Sequence, residues 1–171
     1  GDGGSSPPRY TIFLYKESLM EEKYMELALK EAKKAYNKLE IPVGAVIVKD
    51  GEVIAKAHNL KESHQDVTSH AEILAIRKAQ KKLKNWRLID CEMYITLEPC
   101  PMCAGTIIQS RIKKIYIGTM DEKTGACGSV LNLLEYPFNH RVDVQKGVLK
   151  EKCENILKQF FKELREIKNK K

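Results

Sequence analysis

Two short stretches hold residues whose types and spacing suit chemistry. His70 and Glu72 lie two positions apart in Ser69-His70-Ala71-Glu72, and Cys100 and Cys103 lie three apart in Glu98-Pro99-Cys100-Pro101-Met102-Cys103. Imidazole nitrogen and thiolate sulfur are zinc donors, and three of them leave the fourth tetrahedral position to water. Water held in that way ionises near neutrality, at about pH 7 rather than near 16. A carboxylate that does not itself ligate the ion can take the water's proton and deliver it to a leaving group. The four side chains therefore make a candidate hydrolytic zinc site, with His70, Cys100 and Cys103 as ligands and Glu72 as the proton shuttle.

Each of these residues also has a plainer use. His70 alone suits a satisfied histidine at a helix start. Ser69-x-x-Glu72 is a capping box, in which Glu72 bonds back to the Ser69 backbone. A lone Cys-x-x-Cys can be half of a structural zinc site, a redox pair or chance. A redox pair expects the motif near the start of a thioredoxin-like domain, and a structural site expects a fourth protein ligand. Cys91, Cys127 and Cys153 form no second pair and read as small buried hydrophobes. Pro101 suits the first position of a helix, which makes Cys100 its N-cap and puts Cys103 on the same face one turn later. The unpaired N–H groups and dipole of that helix end favour thiolates, the form that binds metal.

The elements that must position these residues follow from periodicity. Apolar residues from Tyr24 to Leu39 recur at helical spacing, so a helix is expected from Met20 until Pro42 ends it. Residues 43–48 read as a strand buried on both faces, Asp50-Gly51 as a hairpin turn and residues 52–57 as the return strand. Residues 58–68 read as a loop, and Ser69 as the cap of a helix reaching about Leu83. A strand at 93–97, a helix from Pro101 to about Ser110 and a strand at 114–118 follow. Residues 121–140 read as a long loop with one helical turn near Leu131, and residues 142–144 as a last strand. The run from Cys153 to Ile167 makes the clearest amphipathic helix. An opening hairpin followed by β-α alternation implies a mixed central sheet of about five strands with helices on both faces, an α/β fold of three α-β-α layers. Both chemical stretches fall at helix N-termini, where such sheets place their sites.

With 171 residues the chain is one domain's worth, expected to span residues 20–171. The Gly-, Ser- and Pro-rich start suggests that residues 1–19 are a disordered leader or a cloning remnant outside the fold. No apolar run suits a membrane span, and no signal peptide is visible. Five cysteines without scaffold density suit a reducing, cytoplasmic setting. The formal charge of +7 favours an acidic partner such as nucleic acid. Bases concentrate in residues 77–87 and in the C-terminal tail, which solvated helix faces would also explain.

The motif and its flanks resemble the bacterial tRNA-specific adenosine deaminases of the cytidine deaminase-like superfamily. The likeness covers about residues 20–165. It rests on His70-Ala71-Glu72 and Pro99-Cys100-Pro101-Met102-Cys103, joined by Pro42-Val43-Gly44-Ala45-Val46, His58-Asn59, Asn85-Trp86-Arg87-Leu88, Ser110-Arg111-Ile112, Lys123-Thr124-Gly125-Ala126-Cys127-Gly128-Ser129 and Asn139-His140-Arg141-Val142. The resemblance implies a cytidine deaminase-like fold and zinc-dependent conversion of adenosine to inosine at the wobble position of a tRNA anticodon, with release of ammonia. It implies one zinc per subunit on His70, Cys100 and Cys103, with Glu72 protonating the ring at N1 and then the departing amine. It implies that Asn59 bonds the flipped base, that Asp121 contacts the target nucleotide, and that backbone of Ala71, Glu98 and Pro99 lines the pocket. It also implies a homodimer acting on an anticodon stem-loop, whose bases are already unstacked. Basic residues expected to follow the phosphates are Lys84, Arg87, Arg111, Lys113, Lys123, Lys158, Lys162, Arg165 and Lys168.

Two other readings share the zinc motif. A deaminase of a free nucleobase or nucleotide (cytosine, guanine or dCMP) would need neither the Lys123–Ser129 block nor a basic tail. A non-catalytic, zinc-stabilised RNA-binding subunit would have no use for Glu72.

Overall fold

Alternation along the central strands divides their side chains between two cores. Met93, Ile95, Ile115 and Ile117 point into one, while Tyr94 and Tyr116 point into the other. The computed structural model describes residues 4–171. Its elements are α1 (Arg9–Asn37), β1 (Gly44–Lys49), β2 (Glu52–His58), α2 (Lys61–His64), α3 (Ala71–Leu83), β3 (Cys91–Leu97), α4 (Pro101–Gln109), β4 (Lys114–Thr119), a 3₁₀ turn (Leu133–Glu135), β5 (Asp143–Lys146) and α5 (Lys150–Asn169). The five strands lie in the order β2-β1-β3-β4-β5. β2 and β3 both pair antiparallel with β1, while β3, β4 and β5 run parallel. Helices α3 and α4 cover one face and α1 and α5 the other, giving the expected three layers.

The hairpin between β1 and β2 turns on Asp50 and Gly51, both with positive φ, as a two-residue turn of this hand requires. On the α1 side, Tyr24, Tyr94 and Tyr116 form a run of rings, the last two stacked with centroids 4.2 Å apart. Gly44 marks the tightest approach of sheet to helix. A Cβ there would overlap the Ala28 carbonyl oxygen and come within 2.6 Å of the Ala32 nitrogen. Both are helix backbone and cannot swing aside. Gly44→Ala is therefore expected to destabilise the protein by about 3 kcal/mol. Urea unfolding should show a lower midpoint at an unchanged slope; an unchanged midpoint would mean that β1 and α1 can part at no cost.

Three expectations are corrected. The first helix does not start at Met20: α1 extends back to Arg9, with Pro8 at its N-cap. Neither Gly nor Pro interrupts residues 9–20, so nothing stops the helix before Pro8. This extension is exposed, and burial on α1 begins at Tyr24. Of the expected leader, residues 1–3 lie outside the described residues. Within residues 58–68 the chain forms the short helix α2 rather than an irregular loop. β3 starts at Cys91, two residues earlier than expected, because Cys91 pairs with Lys49 of β1.

Candidate active site

The cavity opens at the carboxyl ends of the parallel strands β3 and β4. Leu97 and Thr119 end their strands in register. Beyond Leu97 the chain turns through Glu98, Pro99 and Cys100 into α4. Pro101 occupies the first turn and Cys100 is the N-cap, in extended conformation. His70 is likewise the N-cap of α3, with φ −76° and ψ 154°. Both ligand-bearing helix starts therefore aim their free N–H groups at one place.

The Nδ1 of His70 lies 3.7 Å from Cys100 Sγ and 3.6 Å from Cys103 Sγ. Among the described residues, these three form the one group of His, Cys, Asp or Glu side chains whose donor atoms come within 4.8 Å of one another. A tetrahedral ion with bonds of about 2.3 Å to sulfur and about 2.05 Å to nitrogen requires sulfur–nitrogen separations of about 3.6 Å. The donor set thus fits zinc in type, number and spacing. A hydrogen bond from the Cys103 thiol lowers Cys100 to about 4, and the same bond pushes Cys103 up. A hydrogen bond to Cys100 raises His70, against the opposing effect of burial.

Glu72 is 4% exposed, on the first turn of α3. Burial pushes its carboxyl up to about 7, and a cation held beside it would pull that back down. The capping box does not form. The Ser69 backbone N–H already donates to the Asp66 carbonyl at 3.1 Å, and its hydroxyl pairs with His64 Nδ1 at 2.9 Å and donates to Asp66 at 3.3 Å. Ser69 is consequently not the cap, and the Glu72 carboxylate is free to face the cavity.

The cavity has a volume of about 280 Å³ and is lined by Ile41, Val43, Asn59, Lys61, His70, Ala71, Glu72, Leu97, Glu98, Cys100, Asp121 and Thr124. It is mostly apolar with a few polar groups, the usual make-up of a small-ligand site. Asn59 is 8% exposed; its amide donates to the Ile41 carbonyl at 3.2 Å and its oxygen accepts the Lys61 N–H at 3.1 Å. One N–H and one lone pair stay available to a ligand. Asp121 lies on the rim and organises its own turn, accepting the N–H groups of Lys123 at 3.0 Å and Thr124 at 3.3 Å and the Thr124 hydroxyl at 2.7 Å. Pro99 is buried but does not line the cavity; its carbonyl accepts the Ala126 N–H at 2.8 Å.

The basic residues separate into two groups. Lys123, Lys158 and Arg165 surround a shallow hollow floored by Leu157 and Phe161, next to the Asp121 turn. Lys162 and Lys168 extend this exposed face of α5. Lys84, Arg87, Arg111 and Lys113 lie instead near the far ends of α3 and α4, with Arg87 and Arg111 over the exposed Trp86 ring. At 1.5 Å per residue the length of α3 puts them about 20 Å from this chain's own cavity. Sequence reasoning missed Lys61 and Thr124 as lining residues. It also missed Glu40, wholly buried, which accepts the N–H groups of Glu62 at 2.8 Å and Ser63 at 3.4 Å and so ties α2 to the cavity wall. The sequence signal for Glu40 is slight: one acid just before Pro42.

Comparison with known proteins accords with this site. The MafB19-like deaminase family model matches residues 20–165. A tRNA-specific adenosine deaminase of Bacillus subtilis is 52% identical over 149 residues, which is 86% of this chain and 92% of that protein. The chain belongs to the tRNA-specific adenosine deaminase family. A deaminase of the same description from Aquifex aeolicus is 48% identical over 146 residues, covering 85% of this chain and 96% of the other. A solved structure from a study of A-to-I editing by tRNA:A34 deaminases at the wobble position of transfer RNA superimposes with a TM-score of 0.77 at 43% identity. It covers 79% of this chain and 99% of its own. The fold of this deaminase is thus that of its family, and its three potential ligands lie at the two helix starts.

Proposed function

We propose that the protein hydrolyses the wobble adenosine of a tRNA anticodon to inosine, releasing ammonia. The observation that carries this reading is the His70, Cys100 and Cys103 cluster, with Glu72 beside it, in a nucleobase-sized cavity of a chain belonging to the adenosine deaminases of tRNA. His70, Cys100 and Cys103 would hold one zinc ion. Zinc bound there supplies a water molecule activated for attack at C6 of adenine. Glu72 carries a proton to ring N1 and then to the departing amine. Asn59 orients the base through its remaining hydrogen-bonding positions. Ala71 and Leu97 keep the walls apolar and exclude water. Asp121 holds the turn at the cavity mouth.

The basic face of α5 with Lys123 suits the phosphates of the anticodon loop. Residues 20–171 act as one catalytic domain, working in the cytoplasm. Among the described residues, no helix is long and apolar enough to cross a membrane. The deaminase works as a homodimer, and the hollow between α3 and α4, lined by Ile73, Met102, Thr106 and Trp86, is a face that pairing can cover. Pairing would also bring the Lys84, Arg87, Arg111 and Lys113 group near the other subunit's RNA.

The test is inosine formation on an anticodon stem-loop, with and without a chelator. Zinc-dependent inosine at the wobble position is expected, with free adenosine, nucleobases and nucleotides left unchanged. Turnover of free nucleobases or nucleotides, with none of the stem-loop, would overturn the reading.

A further inference from the structure

We propose that the Glu98 carboxylate is a positioning residue: it sets the 121–129 loop that forms one wall of the cavity and thereby governs how tightly the RNA is held. Residues 121–129 form no helix or strand beyond a single bridge at Cys127; the Asp121 carboxylate shapes the first turn, but the loop's two ends need to be fixed to the rest of the fold. Glu98 fixes them. Its Oε1 accepts the Asp121 N–H at 2.9 Å and the Ser129 hydroxyl. Its Oε2 accepts the Cys127 N–H at 2.9 Å and the Ser129 N–H at 3.1 Å. The side chain is 3% exposed, and among the described residues no Lys, Arg or His pairs with it. A buried carboxylate without a cation is tolerated because N–H and O–H donors surround it. The bonds clamp both ends of the loop, at Asp121 and at Ser129. The segment between them carries Thr124 on the cavity wall and Lys123 on the basic hollow.

Gly125 is an independent sign of the same clamp. Its backbone conformation is open to any residue, yet a Cβ there would run into the Glu98 carboxyl carbon and both of its oxygens. The glycine is needed to let the loop close over the carboxylate rather than to make a turn. Glu98 does not touch the reacting atoms in this arrangement. Its effect reaches the substrate through Asp121, Lys123 and Thr124.

The kinetic consequences rest on the deaminase reading; the loop's dependence on Glu98 does not. The experiment therefore has two arms, both on the zinc-loaded protein. In the first, amide exchange is compared between wild type and Glu98→Gln, which keeps the shape but turns a donor toward backbone donors. Faster exchange is expected across residues 121–129, with the rest of the chain and the zinc content unchanged. In the second arm, anticodon stem-loop binding and turnover are measured. Glu98→Gln is expected to raise KM and Kd by about tenfold or more, the effect of losing a hydrogen bond to a charged group, and to change kcat much less. Gly125→Ala should behave similarly, and the double variant Glu98→Ala with Gly125→Ala should bind no worse than Glu98→Ala alone, because the obstruction has gone. Unchanged exchange in the loop, a fall in Tm with unchanged KM, or strictly additive losses in the double variant would each overturn the proposal. A wild type that neither binds nor turns over the stem-loop would instead overturn the deaminase reading, with the exchange arm still deciding the role of Glu98.

Discussion

Glu72→Ala is expected to slow inosine formation by about 10²–10⁴-fold, the range typical of a general acid–base group, while zinc content and stem-loop affinity stay as in the wild type. The side chain lies on the first turn of α3, next to the His70 N-cap, with no capping bond to hold it elsewhere. Alanine is the best helix former, so the helix itself is not weakened. The variant also removes a carboxylate that is 4% exposed and whose charged form burial disfavours. Stability should therefore hold or rise slightly, the usual trade between stability and activity at a functional site. Loss of rate without loss of fold is the signature of a chemical role. Single-turnover rates with enzyme in excess, metal analysis and thermal unfolding on one preparation would measure it. Near-normal deamination would end the proton-shuttle assignment.

Cys103→Ser is expected to lose both zinc and activity. Cys103 is wholly buried on the first turn of α4, with Sγ 3.6 Å from His70 Nδ1. A serine oxygen sits on a shorter bond and does not ionise near neutrality, so the site would lose an anionic donor. Metal analysis should find much less than one zinc per chain, and added zinc should not restore activity. Chelation of the wild type should abolish activity in the same way, but reversibly. Cys91→Ala is the matching control. Its thiol is equally buried but points to the Ile89 carbonyl at 3.7 Å, away from the ligands, so zinc should stay bound. Full zinc occupancy in Cys103→Ser would contradict the ligand set.

Local patterns were readable where a residue's role depends on neighbours in sequence. The strand–helix order, the hairpin at Asp50 and Gly51, the N-cap position of Cys100 and the shared face of Cys100 and Cys103 all rest on fixed backbone geometry over a few residues. The start of α1 at Arg9 departs from the start at Met20 that apolar periodicity suggests, because the exposed first turns carry no buried stripe and only the absence of any breaker between Arg9 and Met20 marks them as helical. The basic residues could not be sorted because a helix carries its charges to both ends. Lys123 and Lys158 come together through tertiary packing, while Lys84 caps the far end of α3.

The sequence by itself determined the donor types, their spacing and the helix ends that display them, and with these the family and its chemistry. Only the tertiary structure decided what each acid near those motifs does. Ser69 and Glu72 read equally well as a capping box until the turn at Asp66 claimed the Ser69 N–H and hydroxyl. Glu98 reads as part of the cysteine motif, yet its carboxylate serves a loop that arrives from residues 121–129. The reason is physical: a buried polar group must find partners, and those partners come from wherever the folded chain brings donors within reach.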